Sequence, residues 1–268
     1  MKGFLLYEGP SELDGQPIVC IVTDPDQSRL NKKTQRVIQT YIMRADIDPL
    51  DAIKSGDDAS ICGDCIHRGA GGARSCYVQV WSAPRNVWLA YKRGKYEKVW
   101  IPANRLGGEI VRLGTYGDPA AVPMEVWHDA LYFPDSTLGY THQWRDQRFA
   151  DLKQWCMASC ESEADYVRAK LLGWRTFRVH APDVSWRSSH EVVCPASAEA
   201  GRKTHCADCK ACGGHGSRAR CDIVIVAHGD KGKVRAFVEK IDGQPGHRAH
   251  HEIEGRLTPT DTGVVAPA

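Results

Sequence analysis

The feature that most constrains the fold of this chain is the placement of its cysteines. Five of the eleven cysteines fall between positions 194 and 221, and three of them, Cys206, Cys209 and Cys212, follow one another at CxxCxxC spacing. Thiolates at this spacing converge on one metal centre, and we expect Cys194 to supply the fourth ligand from upstream. Because the binding energy of such a centre is also folding energy, the metal would shape the polypeptide around it.

The CxxCxxC spacing leaves two metal centres open, a [4Fe–4S] cluster and Zn²⁺. Three closely spaced cysteines are typical of loops that hold three corners of a cluster, so the spacing favours the cluster. The alternative is a structural zinc site that only fixes a long loop. Cys221 stands apart from the compact group and is expected to be the spare cysteine.

A second group of cysteines, Cys62, Cys65 and Cys76, lies in the first half of the chain. His67 would complete a Cys3His zinc shell with them. Three cysteines with an open fourth position would instead suit a cluster whose unique iron faces a substrate. The sequence predicts two separate metal centres, because more than a hundred residues with alternating strands and helices separate the two groups.

Composition and the lack of an export signal favour metal binding over disulfides. The chain has 268 residues, 42% of them hydrophobic and 25% charged, with a net charge of +2, which is ordinary for a soluble globular protein. No apolar run reaches the length of a transmembrane helix, and the N-terminus lacks the apolar core of a signal peptide. We therefore expect a cytoplasmic protein without membrane contact, in which the thiols stay reduced.

Strand and helix patterns alternate after residue 108. Strands are predicted at 109–113, 138–142, 156–159, 175–179 and 222–228, and helices at 123–131, 148–155 and 163–172. This order predicts an α/β fold, a partial or full parallel (β/α) barrel of about six units with cysteine-rich metal-binding loops at its mouth. A doubly wound open sheet is the alternative.

Three regions are expected along the chain. Residues 1–60 form a β-rich N-terminal segment that joins the main domain. Residues 61–242 form the α/β domain, with cysteine loops at 62–76 and 194–221. The tail at 243–268 has little apolar periodicity and is expected to be partly disordered.

Polar residues follow two of the predicted strands and indicate a functional pocket. Gly117 and Asp118 come after one strand, and Tyr140, His142 and Gln143 close the next. Because the carboxyl ends of parallel strands meet on one side of a sheet, these residues should share one cavity beside the first cysteine group. Asp118, Tyr140 and His142 are the candidate catalytic residues, and Gly117 and Gln143 the candidate cofactor-binding residues. Asp118 also has the pattern of a helix N-cap, and it can serve both purposes.

Other chemistry-bearing residues have simpler interpretations. Cys156 and Cys160 are expected to be core residues rather than ligands. His228 follows a strand and is a further candidate for the pocket. Basic residues surround the second cysteine group, and they either contact nucleic-acid phosphates or form a solvated loop that offsets thiolate charge. These residues are Arg202, Lys203, Lys210, Arg218 and Arg220.

Several segments together resemble a family of uncharacterised phage and prophage proteins. The segments are 13–19 (LDGQPIV), 31–34 (NKKT), 62–65 (CGDC), 76–78 (CYV), 115–123 (TYGDPAAVP), 139–144 (GYTHQW), 194–197 (CPAS) and the cysteines at 206, 209 and 212. The resemblance implies a phage or prophage origin, and hence the host cytoplasm. It brings no established activity.

A more distant likeness is to the radical S-adenosylmethionine enzymes. They hold a cluster on three cysteines after an early strand, and a Gly-Gly-Glu-Pro-like turn follows the next strand. Here Cys62, Cys65 and Cys76 precede the turn at Gly117 and Asp118, although Cys-x2-Cys-x10-Cys replaces the usual CxxxCxxC. The likeness implies S-adenosylmethionine as a possible cofactor and the late cysteines as an auxiliary cluster.

Two functions remain open from the sequence. One is a metal–cysteine enzyme, with iron–sulfur centres, that acts on a nucleotide, nucleic acid or other small substrate. The other is a zinc-stabilised nucleic-acid-binding protein without catalysis, which uses the basic loop.

Overall fold

A ten-stranded, mostly parallel β-sheet organises the chain. The structure is a computed structural model, and it describes residues 2–24, 34–69, 73–182, 188–201 and 203–242. The expectations for the tail at 243–268 and for Arg202 lie outside the described residues. Among the helices that the structure describes, none is both long and apolar enough to cross a membrane.

The strands occupy ten segments of the described chain. They are β1 (Gly3–Pro10), β2 (Pro17–Thr23), β3 (Ile38–Arg44), β4 (Glu97–Lys98), β5 (Ile110–Tyr116), β6 (Ser136–Thr141), β7 (Met157–Cys160), β8 (Thr176–His180), β9 (Glu191–Val193) and β10 (Asp222–Val226). Their order in the sheet is β4-β1-β2-β3-β5-β6-β7-β8-β10-β9. The first three strands thus belong to the same sheet as the later ones.

Among the described residues, the helices lie in the connections between strands, except for the last helix, which follows β10. The α-helices are α1 (Pro49–Ser55), α2 (Ala59–Cys62), α3 (Ala83–Lys92), α4 (Ala103–Leu106), α5 (Met124–Ala130), α6 (Glu163–Leu171), α7 (Cys206–Cys209) and α8 (Lys231–Asp242). Three 3₁₀ helices cover Pro119–Ala121, Gln143–Arg145 and Gln147–Gln154.

The strand order confirms an α/β fold but not a closed barrel. The strands β3, β5, β6, β7, β8 and β10 lie side by side in chain order and are parallel. Their order does not reverse, as it does in a doubly wound sheet, so that alternative does not describe these six strands. The sheet is not closed, because β4 and β9 form its two edges. The full-barrel form of the prediction is therefore wrong.

Local sequence explains most of these elements. Ile18 to Val22 in β2 are completely buried, as expected for β-branched residues in a strand covered on both faces. The Ser162 side chain accepts a hydrogen bond from the Asp165 backbone and caps α6. The helix predicted at 148–155 is instead a 3₁₀ helix, and its buried residues Phe149 and Leu152 stand three apart. That spacing matches the three residues per turn of a 3₁₀ helix.

Three cysteines outside the two groups pack in the core. Cys20, Cys156 and Cys160 are completely buried, so the prediction that Cys156 and Cys160 are core residues is confirmed. Burial raises the pKa of each thiol, as expected in apolar surroundings.

Candidate functional site

Both cysteine groups line one cavity. The cavity has a volume of about 340 Å³, lies over one face of the sheet and reaches the carboxyl ends of β5 and β6. This volume is within the range of small-molecule sites, roughly 300–1,000 Å³. The cysteines that line it are Cys62, Cys65 and Cys76 from the first group and Cys194, Cys206 and Cys212 from the second. Residues more than a hundred positions apart in the sequence therefore face the same space.

The three thiols of the first group are close neighbours. Cys62 ends α2, and the Cys76 backbone donates a hydrogen bond to the carbonyl of His67, which closes the loop. Burial raises the pKa of Cys62 well above its ordinary value, and the adjacent Cys65 and Cys76 raise it further. Burial also raises the pKa of Cys76. Such thiols deprotonate only with a metal or another cation beside them.

His67 does not complete a zinc shell with these cysteines. Its Nδ1 lies 3.0 Å from the Ser75 hydroxyl, its Nε2 lies 3.7 Å from Glu161, and its ring stacks on Phe237. Across the described residues, one group of three His, Cys, Asp or Glu ligand atoms lies within 4.8 Å of one another, and it contains no cysteine. Zinc at about 2.3 Å from each sulfur would place sulfurs about 3.8 Å apart. Both cysteine groups are spread more widely than that.

The second group surrounds a smaller void of about 20 Å³. Cys194, Cys206, Cys209 and Cys212 all line this void, so the structure brings together the four cysteines predicted to share one centre. Burial raises the pKa of Cys212 to about 12, with Cys194 and Cys206 adding to the rise. Cys221 is a neighbour of Cys209 and contributes to the raised pKa of that thiol, after burial and the other cysteines.

The backbone around the second group is fixed from the strand side. The buried guanidinium of Arg175 donates hydrogen bonds to the carbonyls of Ala211, Gly213 and Cys221. The Gly139 backbone in β6 donates to the carbonyl of Cys212 at 3.1 Å. The cysteine segment is therefore attached to the sheet at 211–213 and again at its end, Cys221.

The turn after β5 is shaped by close packing. Gly117 has φ of +82°, and a Cβ there would lie 2.7 Å from the Cβ of Ile42. Glycine is therefore required by the left-handed backbone and by contact with β3. The prediction that Gly117 lets a ligand approach the backbone does not explain this glycine, although Gly117 lines the cavity.

Asp118 serves both of the purposes expected from the sequence. Its carboxylate accepts hydrogen bonds from the Ala120 backbone at 3.0 Å, which caps the following 3₁₀ helix, from the Thr141 hydroxyl at 2.7 Å and from the His142 backbone at 2.7 Å. Asp118 also lines the cavity. Burial raises the pKa of this carboxyl, and His142 and the hydrogen bonds partly oppose the rise.

His142 forms a buried network with a residue that the sequence did not predict. Its Nε2 lies 2.9 Å from Glu161 Oε1 and 3.5 Å from Cys65 Sγ, and the Ser159 hydroxyl donates to Glu161 at 3.1 Å. Burial alone would lower the pKa of His142, but Cys65 and Glu161 raise it well above its ordinary value. Burial alone would raise the pKa of Glu161, but His142 outweighs burial and holds that pKa well below its usual range.

Tyr140 and Gln143 have different positions from one another. Tyr140 lines the cavity and stacks on Phe177 at 3.9 Å between ring centroids, and burial, with a contribution from the nearby Cys212, raises the pKa of its hydroxyl well above the ordinary value. Gln143 is not among the residues that line the cavity. Its amide donates to Asp64 at 2.8 Å and occupies the space beside Gly63, so it braces the first cysteine loop.

The basic residues near the second cysteine group differ from Arg112, because they lie outside the cavity and Arg112 lines it. Lys203, Arg218 and Arg220 are exposed, whereas Lys210 forms an ion pair with Asp135 at 2.5 Å. Arg112 points into the cavity, with its guanidinium 5.8 Å from the centre of the Tyr140 ring.

His228 and Tyr77 lie together on one side of the cavity. The Tyr77 hydroxyl accepts a hydrogen bond from the His228 backbone at 2.7 Å, and the imidazole Nδ1 lies 3.4 Å from Glu199. Both rings line the cavity. The suggestion from the sequence that His228 belongs to the pocket agrees with this position.

The chain has no match among protein-family models, curated proteins or solved structures. Its function is therefore inferred from the geometry of the site.

Proposed function

We propose that this protein is an iron–sulfur enzyme of phage or prophage origin, active in the host cytoplasm on a nucleotide or another small substrate. The observation that carries the proposal is the shared cavity, which both cysteine groups line. Four thiols surround the smaller void and suit a complete [4Fe–4S] cluster. Three thiols in the first group suit a cluster with one iron left open to the cavity.

The topology supports the likeness to radical S-adenosylmethionine enzymes. Six parallel strands in chain order suit a partial barrel, with the first cysteine group after β3 and the turn at Gly117 and Asp118 after β5. S-adenosylmethionine is the proposed cofactor, and when bound beside a cluster reduced by an external one-electron donor it would supply hydrogen-atom abstraction from the substrate, at the cost of one of its own sulfur–carbon bonds. The orphaned hydroxyl of Tyr116 supports a polar ligand here, because it is buried without a hydrogen-bond partner and lines the same cavity.

The residues of the cavity define roles toward substrate. The Arg112 guanidinium offers a positive charge to an anionic group such as a phosphate, and no ion pair joins it to a carboxylate of the described residues. The stacked rings of Tyr140 and Phe177 offer a flat apolar surface. Asp118 accepts a hydrogen bond from the His142 backbone, and the His142 imidazole Nε2 lies 2.9 Å from Glu161, so the two carboxylates position this ring beside the cavity.

The test is the metal content of anaerobically purified protein. We expect brown protein with about eight iron and eight sulfide per chain, four of each per cluster. Cys209→Ser should remove about half of both and Cys62→Ser the other half, while the matched control Cys221→Ser should keep them. Adding S-adenosylmethionine should alter the electron paramagnetic resonance spectrum of reduced wild type and Cys209→Ser, but not of Cys62→Ser. Colourless protein that contains zinc would contradict the proposal.

A second candidate function is nucleic-acid binding by a zinc-stabilised fold. The exposed side chains of Lys203, Arg218 and Arg220 beside the second cysteine group favour it. Binding through phosphates would weaken steeply with salt, by nearly one unit of log K per unit of log salt for each phosphate contacted. Lack of salt-dependent binding to single- or double-stranded DNA and RNA would exclude it.

A further inference from the structure

Three ligand atoms that belong to neither cysteine group meet beside the cavity. They are the imidazole nitrogens of His67 and His142 and a carboxylate oxygen of Glu161, all within 4.8 Å of one another. We propose that His67, His142 and Glu161 bind one divalent metal ion, separate from the cysteine centres. This site does not depend on the presence of iron–sulfur clusters.

The combination of two imidazoles and one carboxylate indicates which metal ions would bind. Two imidazoles and one carboxylate form the triad of non-haem Fe(II) sites, and the same three donors hold catalytic zinc. Glu161 Oε1 lies 2.9 Å from His142 Nε2 and 3.7 Å from His67 Nε2, so small side-chain movements would bring all three atoms onto one ion. Such a triad occupies part of the coordination shell and leaves the other positions for water or a substrate oxygen.

Neighbouring polar groups hold the proposed ligands in place. His67 Nδ1 lies 3.0 Å from the Ser75 hydroxyl, so its Nε2 is the nitrogen directed at the metal. Metal-bound histidines usually form a hydrogen bond through their second nitrogen, which fixes ring orientation. His142 Nδ1 lies 4.0 Å from the Asp118 carboxylate, and the Ser159 hydroxyl donates to Glu161 Oε1 at 3.1 Å.

Charge and access favour a cation at this position. Glu161 and Asp118 are both buried carboxylates, and together they balance the charge of one divalent ion that displaces the protons of the imidazoles it binds. His67 and His142 line the cavity, so the open coordination positions would face it. Cys65 Sγ lies 3.5 Å from His142 Nε2 but outside the group of three, so the ion would be a neighbour of the first cysteine centre.

Mn²⁺ is the probe for this site. Mn²⁺ prefers oxygen and nitrogen ligands to thiolates. The electron paramagnetic resonance signal of free Mn²⁺ in water falls when the ion binds to the protein. Titration of the full-length protein with manganese chloride should show one Mn²⁺ per chain. Glu161→Gln should weaken binding at least tenfold, and Glu125→Gln, which changes an exposed carboxylate, should leave it unchanged.

Two further variants keep the test decisive. Ser75→Ala removes only the partner of His67 Nδ1 and should weaken Mn²⁺ binding about 10- to 100-fold. It decides the question if Glu161→Gln fails to fold. Cys62→Ser and Cys209→Ser, one in each cysteine group, should bind Mn²⁺ as the wild type does, which separates this site from both cysteine centres whatever their iron content. Equal affinity in wild type, Glu161→Gln and Ser75→Ala, or no binding by wild type at concentrations on the order of 1 mM, would overturn the proposal.

Discussion

Replacing Arg175 with methionine should loosen the second cysteine segment from the sheet. The buried guanidinium donates to four backbone carbonyls, with Gly213 and Gly214 on one terminal nitrogen and Ala211 and Cys221 on the other. A hydrogen bond from a charged donor contributes about 1.5–3 kcal/mol. Two of these four hydrogen bonds are short and one is long, and the loop can partly relax after the substitution. We therefore expect the free energy of unfolding to fall by about 3–5 kcal/mol.

The assay combines urea denaturation with the rate at which a chelator removes metal. Arg175→Met should lower the midpoint of unfolding and release metal from the second centre faster than wild type, because the loop opens more often. Arg148→Met is the matched control, since that guanidinium is 63% exposed and solvent screens its ion pair with Asp146, so the midpoint of unfolding should stay close to that of wild type. If Arg175→Met loses less than about 1 kcal/mol and keeps its metal as long as the control, the segment is not anchored by this residue.

Two further substitutions test buried polar groups. In urea denaturation, Glu191→Gln should lower the free energy of unfolding by about 3–5 kcal/mol, because it leaves the Arg178 guanidinium buried without its carboxylate. Replacing both partners, Arg178 by Met and Glu191 by Leu, should recover most of this loss. Tyr116→Phe should leave the metal-free protein as stable as wild type or up to about 1 kcal/mol more stable, because it removes a buried hydroxyl without a partner. The same variant should bind S-adenosylmethionine roughly 5- to 10-fold more weakly in equilibrium dialysis. A clear loss of stability in Tyr116→Phe would show that the hydroxyl is already satisfied.

The order of strands and helices could be read from the sequence because its signals are local. The segment at 1–60 was predicted to be β-rich and contains β1, β2 and β3, and the helix predicted at 163–172 is α6 with its serine cap. Chain order then predicts neighbouring parallel strands. Whether the sheet closes is set by twist and strand tilt summed over all strands, which no single segment encodes. For this reason the closed barrel was wrong while its strands were right.

The residues of the candidate site also divide into those that could be predicted from the sequence and those that could not. Asp118 and His142 were predicted because they lie at the carboxyl ends of two neighbouring strands, and the structure brings them to the same cavity. Glu161 was missed although it follows β7 in the same manner, because two cysteines before it and a helix cap after it suggested packing and capping alone. Gln143 lies one step further along its turn, and this single step directs its side chain to the first cysteine loop.

The position of the second cysteine group separates the two proposed functions. A metal that only fixes a loop has no need for ligands that face a pocket, yet Cys194, Cys206 and Cys212 line the same cavity as the first group. Tyr140 and Cys212 line this cavity together, and Arg112 contributes positive charge beside them. Charges and polar groups next to a cluster sulfur tune its reduction potential, so we expect a substrate against Tyr140 to alter the electronic state of the proposed centre. This arrangement favours the iron–sulfur proposal over a redox-inert zinc site.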